Sequence, residues 1–213
     1  VVSANPPEKV KLDTVGKLFH GVKVKIAEDG EILVRGENIM NGYWNDPDAT
    51  SKTIIDGWVH TGDIGEFDEE EYLKITDRKK DIIVNAGGDN ISPTRVEAKL
   101  DIEPEIAQSM LYGDFKNYLV AVIVPDKDFA LNWAKENGKE QKFESIVKDD
   151  DFNKLMKEVI NRVNKNLSVI EQVRKFILID HEFTIENSMM TVSMKVRRFA
   201  VKDKYQEDLE KLY

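Results

Sequence analysis

The part of the sequence that decides the fold is residues 76–93, which read Thr-Asp-Arg-Lys-Lys-Asp-Ile-Ile-Val-Asn-Ala-Gly-Gly-Asp-Asn-Ile-Ser-Pro. A basic run at 78–80 leads into a short strand pattern at 81–84 and a tight turn at 86–90. Ser92 and Pro93 are the residue types that cap a helix and occupy its first position. The sequence therefore predicts a hairpin followed by a helix, with a domain boundary at its start.

Residues 1–77 have strand patterns but few helices to cover them. Alternating apolar residues at 22–26 and 31–35 flank the turn at 28–30, which is typical of a β-hairpin. The other predicted elements are a short helix that begins at Asp46 and strands at 58–60 and 72–75. Residues 1–77 therefore lack the helices that would complete a domain of their own. We expect them to be the β-rich trailing part of a larger amino-terminal domain, and the chain to be an excised piece.

Residues 78–213 combine buried strands with amphipathic helices. The apolar run 119–124 is typical of a strand that is buried on both faces. The clearest helix is 152–167, where apolar residues recur on one stripe. The remaining predictions are strands at 110–112 and 176–179 and helices that begin at Ser92, Asp126 and residue 200. The fold class is therefore α+β, with a small mixed carboxy-terminal domain containing a three-stranded type of sheet, preceded by the β-rich remnant.

The bulk composition excludes several classes of protein. A formal net charge of −9 argues against general nucleic-acid binding, which needs a basic face. No apolar run is long enough to span a bilayer, and no secretory signal pattern opens the sequence. The lack of cysteine excludes disulfides, thiolate metal sites and a cysteine nucleophile, and it is compatible with a reducing, cytoplasmic location.

Three segments contain candidate functional residues, and each has a plain structural alternative. Asp63 follows a predicted strand, where a carboxylate can accept hydrogen bonds from ribose hydroxyls or simply cap a turn. Arg78 and Lys80 suit ribose or phosphate oxygens, or form an exposed basic linker. The turn at Gly87-Gly88 lets a ligand pass close to the backbone, or is a plain hairpin turn. Lys195, in a loop-like stretch, can bring a positive charge to a reacting carboxylate and phosphate, or is one more surface lysine.

The order of these segments is more specific than any one of them. Along the chain come Thr-Gly-Asp at 61–63, Asp-Arg-Lys-Lys-Asp at 77–81, Gly-Gly-Asp-Asn-Ile-Ser-Pro at 87–93 and Thr-Val-Ser-Met-Lys-Val-Arg-Arg at 191–198. In this order the chain resembles, over essentially its whole length, the superfamily of acyl- and aryl-CoA synthetases, peptide-synthetase adenylation domains and luciferases. The segment 126–175 and the last motif are most similar to long-chain acyl-CoA synthetases.

The resemblance implies an AMP-forming fatty-acid–CoA ligase, which converts ATP, a long-chain fatty acid and CoA into acyl-CoA, AMP and pyrophosphate. It implies that Lys195 bridges carboxylate and phosphate during adenylation and that Asp63 and Arg78 contact the AMP ribose. Lys80 matches the hinge of a mobile carboxy-terminal domain, 78–213. Gly87 and Gly88 match the turn that faces the pantetheine of CoA.

Some features of the family are replaced or missing. Glu71 stands before a tyrosine where glycine is usual, and Asp89 stands where glutamate or lysine is common. The phosphate loop and the Tyr-Gly-x-Thr-Glu segment, which bind triphosphate, adenine and magnesium in the family, do not occur in this sequence, and neither does the acyl pocket. We therefore expect ATP, magnesium and CoA to act in a full-length parent, assign no metal ligand here, and expect the chain alone to form no acyl adenylate.

Two other functions stay open on the sequence. An adenylating enzyme that loads a carrier protein is the first, because a carrier presents the same phosphopantetheine thiol as CoA. A non-catalytic binding module is the second, and it would fold cooperatively without forming acyl-CoA. The partners implied are fatty acid, ATP and CoA, with no nucleic acid. Peripheral association with a membrane, acyl chain length and oligomeric state are left open.

Overall fold

The computed structural model describes residues 1–213, which form two compact units, Val1–Ile82 and Ile83–Tyr213. Each unit has a hydrophobic core of its own. Strands dominate the first unit, and strands and helices are mixed in the second. The predicted α+β class is confirmed. The interpretation of the two parts as pieces of larger enzyme domains stays a prediction.

The first unit is built on an antiparallel sheet. Strands β3, β4, β6 and β5 are hydrogen-bonded in that order, and β7 also pairs with β6. The elements of this unit are β1 (Ser3–Ala4), β2 (Lys17–Leu18), β3 (Lys23–Ile26), β4 (Glu31–Arg35), α1 (Pro47–Thr53), β5 (Ile54–Ile55), β6 (Trp58–Phe67) and β7 (Leu73–Arg78).

The predicted hairpin is confirmed as β3 and β4, which pair in register from Lys23 opposite Arg35 to Ile26 opposite Ile32. Gly30 closes the turn with a φ of +84°, a backbone conformation that residues with a Cβ rarely adopt. β4 is buried over most of its length. Because β4 lies between β3 and β6, both of its edges are paired, and it forms the centre of this sheet.

Strand β6 corrects one prediction. We expected a short strand at 58–60 with Asp63 directly after it, but the strand runs from Trp58 to Phe67 and contains Asp63. The pairing with β4 is irregular between Glu31 and Leu33, and Gly62 has a φ of +70°. Between these pairs β6 has two residues more than β4, and a bulge adds residues to one strand without ending it. The Thr-Gly-Asp motif is therefore a kink within a long strand.

The second unit contains the three-stranded sheet that the sequence predicted. Its strands lie in the order β10, β11, β12, and β11 is antiparallel to β10 and parallel to β12. The elements of this unit are β8 (Ile83–Val84), β9 (Asn90–Ile91), α2 (Pro93–Leu100), β10 (Ile106–Tyr112), β11 (Leu119–Pro125), α3 (Lys127–Glu136), α4 (Phe143–Ile146), α5 (Asp150–Asn164), β12 (Val173–Leu178) and α6 (Arg198–Glu210).

Strand β11 is covered on both faces. The odd-numbered residues from Leu119 to Ile123 pack into a cluster with side chains of α2, α3 and α5. The even-numbered residues from Val120 to Val124 pack into a second cluster with side chains of α6. Because successive side chains of a strand point to opposite faces, a continuous apolar run is what two covered faces require. The predicted two-sided burial is confirmed.

Helix α5 confirms the predicted apolar stripe. Asp149 caps it by accepting hydrogen bonds from the backbone N–H groups of Asp151 and Phe152 at 2.8 and 3.2 Å. Its buried apolar side chains, at Phe152, Met156, Val159, Ile160 and Val163, follow the helical period. No helix of the protein has the length and apolar character to cross a membrane.

Removing the side chain of Phe152 tests the core of the second unit. Phe152 is fully buried, and its ring centroid lies 5.0 Å from that of Trp133. Phe152→Ala should lower the free energy of unfolding by about 3–5 kcal/mol, because it leaves a cavity as well as losing apolar burial. Urea denaturation followed by circular dichroism measures this change.

Phe199→Ala is the matched control, because Phe199 is 76 % exposed. Its effect should stay within about 0.5 kcal/mol. Equal destabilisation by the two variants would show that Phe152 does not lie in the core.

Candidate functional site

Asp63 and Arg78, the predicted ribose contacts, lie opposite each other in the pairing of β6 with β7. Arg78 Nε donates to Asp63 Oδ1 at 2.8 Å, and the two side chains are 23 % (Asp63) and 55 % (Arg78) exposed. The structure therefore brings a carboxylate acceptor and a guanidinium donor together at the surface of a sheet. Such a pair can accept from and donate to vicinal hydroxyls.

The backbone of the Thr-Gly-Asp kink is held by specific hydrogen bonds. Thr61 Oγ1 donates to the carbonyl of Ile32 at 2.7 Å and accepts from the N–H of Asp63 at 3.1 Å. The N–H of Gly62 donates to Oε1 of Glu31 at 2.9 Å. Each residue of the motif thus has a structural task, and together these bonds fix the direction of the strand at Asp63.

Glu31 is the residue that sequence reasoning missed. Its side chain is only 5 % exposed, and its Oε2 lies 2.9 Å from Nδ1 of His60. Lys79 Nζ donates to the same oxygen at 2.9 Å and lies 2.7 Å from Asp29, and the N–H of Lys79 donates to the carbonyl of Gly62 at 2.8 Å. Glu31 therefore ties the neighbour of Asp63 to the neighbour of Arg78. The signal in the sequence was a glutamate at the start of β4, directly before three apolar residues.

Hydrogen bonding keeps Glu31 ionised. Burial acts to raise the pKa of its carboxyl, but hydrogen bonds from Lys79, His60 and the Gly62 N–H outweigh burial and hold that pKa below its ordinary value. The same contacts act on Lys79, whose pKa is raised by hydrogen bonds to Asp29 and Glu31. Glu31 and Lys79 therefore form a pair of opposite charges at neutral pH.

Lys80, the predicted hinge, is exposed and lies in a turn. The N–H groups of Asp81 and Ile82 both donate to the carbonyl of Arg78, at 2.9 and 3.2 Å. The chain divides into its two units after Ile82, so Lys80 lies close to the point of division. A hinge motion at Lys80 stays a prediction.

Gly87 and Gly88 form the turn between β8 and β9. Asn85 Oδ1 accepts from the N–H groups of Gly87 and Asp89, each at 2.9 Å, and Gly88 has a φ of +86°. A Cβ placed on Gly88 would meet no atom within 4 Å. The backbone of the turn is therefore both fixed and open on its outer side, which is the geometry that close approach of a thin ligand requires.

Lys195 closes a hydrogen-bonded hairpin turn, residues 191–195, within the predicted loop-like stretch. The N–H of Thr191 donates to the carbonyl of Lys195 at 2.8 Å, and the N–H of Lys195 donates to Thr191 Oγ1 at 3.0 Å. Met190 and Val196 form a bridge at the base of this hairpin. Lys195 itself is exposed. Its charge is thus presented to solvent on a hydrogen-bonded turn.

The sequence and the fold match one known family. The family model described as AMP-binding enzyme C-terminal domain matches residues 80–213. The chain is 37 % identical over 206 residues, which is 96 % of its length, to a long-chain-fatty-acid–CoA ligase, FadD15, of Mycobacterium tuberculosis. The chain belongs to the AMP-binding enzyme family. It spans 34 % of the length of that relative, or about a third.

Other relatives and solved structures agree with this assignment. Human long-chain-fatty-acid–CoA ligase 1 is 34 % identical over 87 % of this chain and 27 % of its own length. The adenylation domain of a carboxylate reductase from Mycobacterium chelonae has the same fold, with a TM-score of 0.76 and 24 % identity over 96 % of this chain and 34 % of that one. A carboxylic acid reductase didomain from Segniliparus rugosus, solved in complex with AMP, has a TM-score of 0.72 and 26 % identity over 92 % and 28 % of the two chains.

Replacing Glu31 tests the role of its charge. Glu31→Gln should lower the free energy of unfolding of the first unit at neutral pH by about 2 kcal/mol, the usual size for hydrogen bonds to a buried charged group. Because the pKa of Glu31 is lowered in the folded state, its contribution is present above the unfolded-state pKa of about 4.3 and is lost as the pH falls through the folded-state pKa. The difference between native chain and variant should therefore shrink as the pH falls below about 5.

Chemical denaturation of both proteins at a series of pH values measures this difference. Glu28→Gln is the control, since Glu28 is exposed in the turn before β4, and it should change stability little at any pH. A Glu31→Gln effect that is independent of pH would contradict the assignment.

Proposed function

We propose that this chain supplies the carboxy-terminal part of an AMP-forming ligase that joins a long-chain fatty acid to CoA with ATP. The observation that carries the proposal is the 37 % identity to a long-chain-fatty-acid–CoA ligase over 96 % of this chain. The positions of Asp63, Arg78 and Lys195 on fixed, accessible backbone support it. The acyl adenylate is the intermediate of the reaction, and the thiol of CoA is the final acceptor.

Adenylation needs charge neutralisation more than proton transfer. The fatty-acid carboxylate is already a nucleophile, and its oxygen attacks the α-phosphorus of ATP while pyrophosphate leaves. Two anions must approach each other, so a positive charge near both lowers the barrier. Lys195 is our candidate for that charge, because it is exposed and its backbone is held in a hydrogen-bonded hairpin turn.

Ribose binding is the role we assign to Asp63 and Arg78. The Asp63 carboxylate can accept hydrogen bonds from the ribose hydroxyls, and the Arg78 guanidinium has further N–H groups besides the Nε that bonds to Asp63. Support comes from the similar carboxylic acid reductase didomain, which was solved in complex with AMP. The contacts of Glu31 with Gly62 and Lys79 would hold β6 and the end of β7 in register during nucleotide binding.

Thioester formation is the second step. The sulfur of CoA attacks the acyl carbon of the adenylate, and AMP leaves. The open turn at Gly87-Gly88 offers backbone without side chains to a pantetheine arm. Lys80 is our candidate for the hinge between the two steps, since it is exposed in a turn close to the division between the units.

Magnesium is not assigned to any residue of this chain. No group of three or more His, Asp and Glu side chains in residues 1–213 has the arrangement to hold a metal ion. No step described above depends on a metal ligand from this chain.

The acceptor distinguishes the proposed ligase from a second candidate. A didomain that includes a carrier protein is among the similar solved structures, and this observation favours an enzyme that loads a carrier. The ligase that contains this chain, given palmitate and ATP, should form palmitoyl-CoA faster than it loads a phosphopantetheinyl carrier protein. Mass spectrometry of both thioesters from parallel reactions measures the ratio. Carrier loading without palmitoyl-CoA would replace the first function by the second, and formation of neither thioester would refute both.

Replacing Lys195 separates the two half-reactions. In the same ligase, Lys195→Ala should slow adenylate formation by about 10²–10³-fold, the usual loss when one group that stabilises transition-state charge is removed. Thioester formation from supplied palmitoyl adenylate should be nearly unchanged. Pyrophosphate exchange and single-turnover acyl transfer measure the two rates.

Lys157→Ala is the matched control, because Lys157 is an exposed lysine of α5. It should leave both rates unchanged. An equal loss of both half-reactions in Lys195→Ala would remove Lys195 from its assigned role.

A further inference from the structure

We propose that Glu97 is a positioning residue for Lys195 and that it acts through Arg198. The inference rests on the proposed function, in which Lys195 takes part in adenylation. Glu97 is distant in sequence from Lys195 and does not carry the reacting charge. Its role is to fix the end of the hairpin from which Lys195 extends.

The contact itself is a two-pronged ion pair. Both terminal nitrogens of Arg198 donate to Glu97, Nη1 to Oε1 and Nη2 to Oε2. The side chains are 11 % (Glu97) and 22 % (Arg198) exposed. Arg198 is the first residue of α6 and comes three positions after Lys195. A bidentate pair fixes direction as well as distance, so it defines where the hairpin ends and the helix begins.

Glu97 is itself held in place. It lies on α2, whose neighbouring side chains Val96 and Leu100 are fully buried. Its Oε1 also accepts from the N–H of Leu111 at 2.7 Å. Leu111 belongs to β10, an edge strand that pairs only with β11, and the carboxylate thus satisfies an N–H group on the unpaired edge. Arg198 is therefore fastened to the central sheet through Glu97.

The other end of the same segment is fastened to the same strand. The side-chain amide of Gln108, also on β10, donates from Nε2 to the carbonyl of Phe183 at 3.1 Å. Its Oε1 accepts from the N–H of Phe183 at 2.6 Å. We call residues 183–198 the Lys195 segment. Gln108 holds the start of this segment and Glu97 holds its end.

Between these two points the Lys195 segment is packed and hydrogen-bonded. Met189 and Met190 are 3 % and 8 % exposed, and the N–H of Arg197 donates to the carbonyl of Met189 at 2.7 Å. A displacement of Arg198 would therefore also displace the turn that carries Lys195. Since misplacement of a catalytic charge by about 1 Å can cost about 10²-fold in rate, the ion pair has a direct consequence for adenylation.

A second ion pair that involves a buried glutamate, in the same unit, provides a control. Glu105 is 8 % exposed, as is Glu97, and both of its oxygens accept from Nη2 of Arg162 at 2.9 Å. This pair joins α5 to the residue just before β10 and includes no residue of the Lys195 segment. Glu105→Gln and Glu97→Gln therefore remove comparable charges, and only the second should affect Lys195.

The first measurement uses the chain as it stands. Trypsin cleavage of the Arg198–Phe199 bond under native conditions reports opening of the start of α6. Glu97→Gln should accelerate this cleavage about tenfold or more, because loss of the Glu97 charge weakens the two-pronged contact that holds the first turn of α6. Glu105→Gln should leave the rate unchanged. Unchanged cleavage in Glu97→Gln would overturn the inference.

The second measurement uses the ligase that contains this chain. Glu97→Gln should slow pyrophosphate exchange about 10- to 100-fold and leave acyl transfer from supplied palmitoyl adenylate within about twofold. Arg198→Lys should show the same split, because lysine keeps the charge but lacks the planar fork. Glu105→Gln should show no split.

The outcomes separate this inference from the proposed function. Equal loss of both half-reactions in Glu97→Gln, or unchanged pyrophosphate exchange, would reduce the pair to a purely structural contact. A native ligase that forms no adenylate at all would refute the proposed function, and with it this role for Lys195, even if the cleavage result stood.

Discussion

A buried carboxylate must be paired with donors, and this constraint organises both units. Removing an ionised group from water costs several kcal/mol unless neighbouring donors compensate. Glu31 meets the constraint with Gly62, Lys79 and His60. Glu97 meets it with Leu111 and Arg198. In each unit at least one donor belongs to a motif that the family resemblance marks as functional: Gly62 and Lys79 in the first, and Arg198 in the second.

Each carboxylate joins the candidate site to a sheet of its own unit. Glu31 opens β4, the strand that is paired on both sides, and Glu97 binds the edge of the sheet whose centre, β11, is fully buried. The candidate functional side chains themselves remain accessible: Arg78 is 55 % exposed and Lys195 is exposed. Rigid support with an exposed reactive group is the arrangement that precise placement of charge requires.

Local sequence patterns predicted most of the elements and little of their connection. The β3–β4 hairpin, the apolar run of β11 and the stripe of α5 depend on neighbours within a few residues, so periodicity revealed them. The bulge at Gly62 depends on Glu31, which is 31 positions away, and the anchor of Arg198 is 101 positions away. Periodicity contains no information on such pairs. The motif order located Asp63 and Lys195, but the partners of Glu31 and Glu97 could not be read from the sequence.

The exposure of Lys195 to water limits the strength of its charge. A unit charge in water is strongly screened, and it becomes effective only where water is removed around it. Val192 and Met194, which lie in the turn just before Lys195, are 85 % and 71 % exposed, an uncommon placement for apolar side chains that nothing within the second unit covers. If another surface covered this turn, these two side chains would displace water beside the ammonium group of Lys195. The charge of Lys195 would therefore be strongest in an enclosed site, and the Glu97–Arg198 ion pair would fix the direction of the turn that carries it.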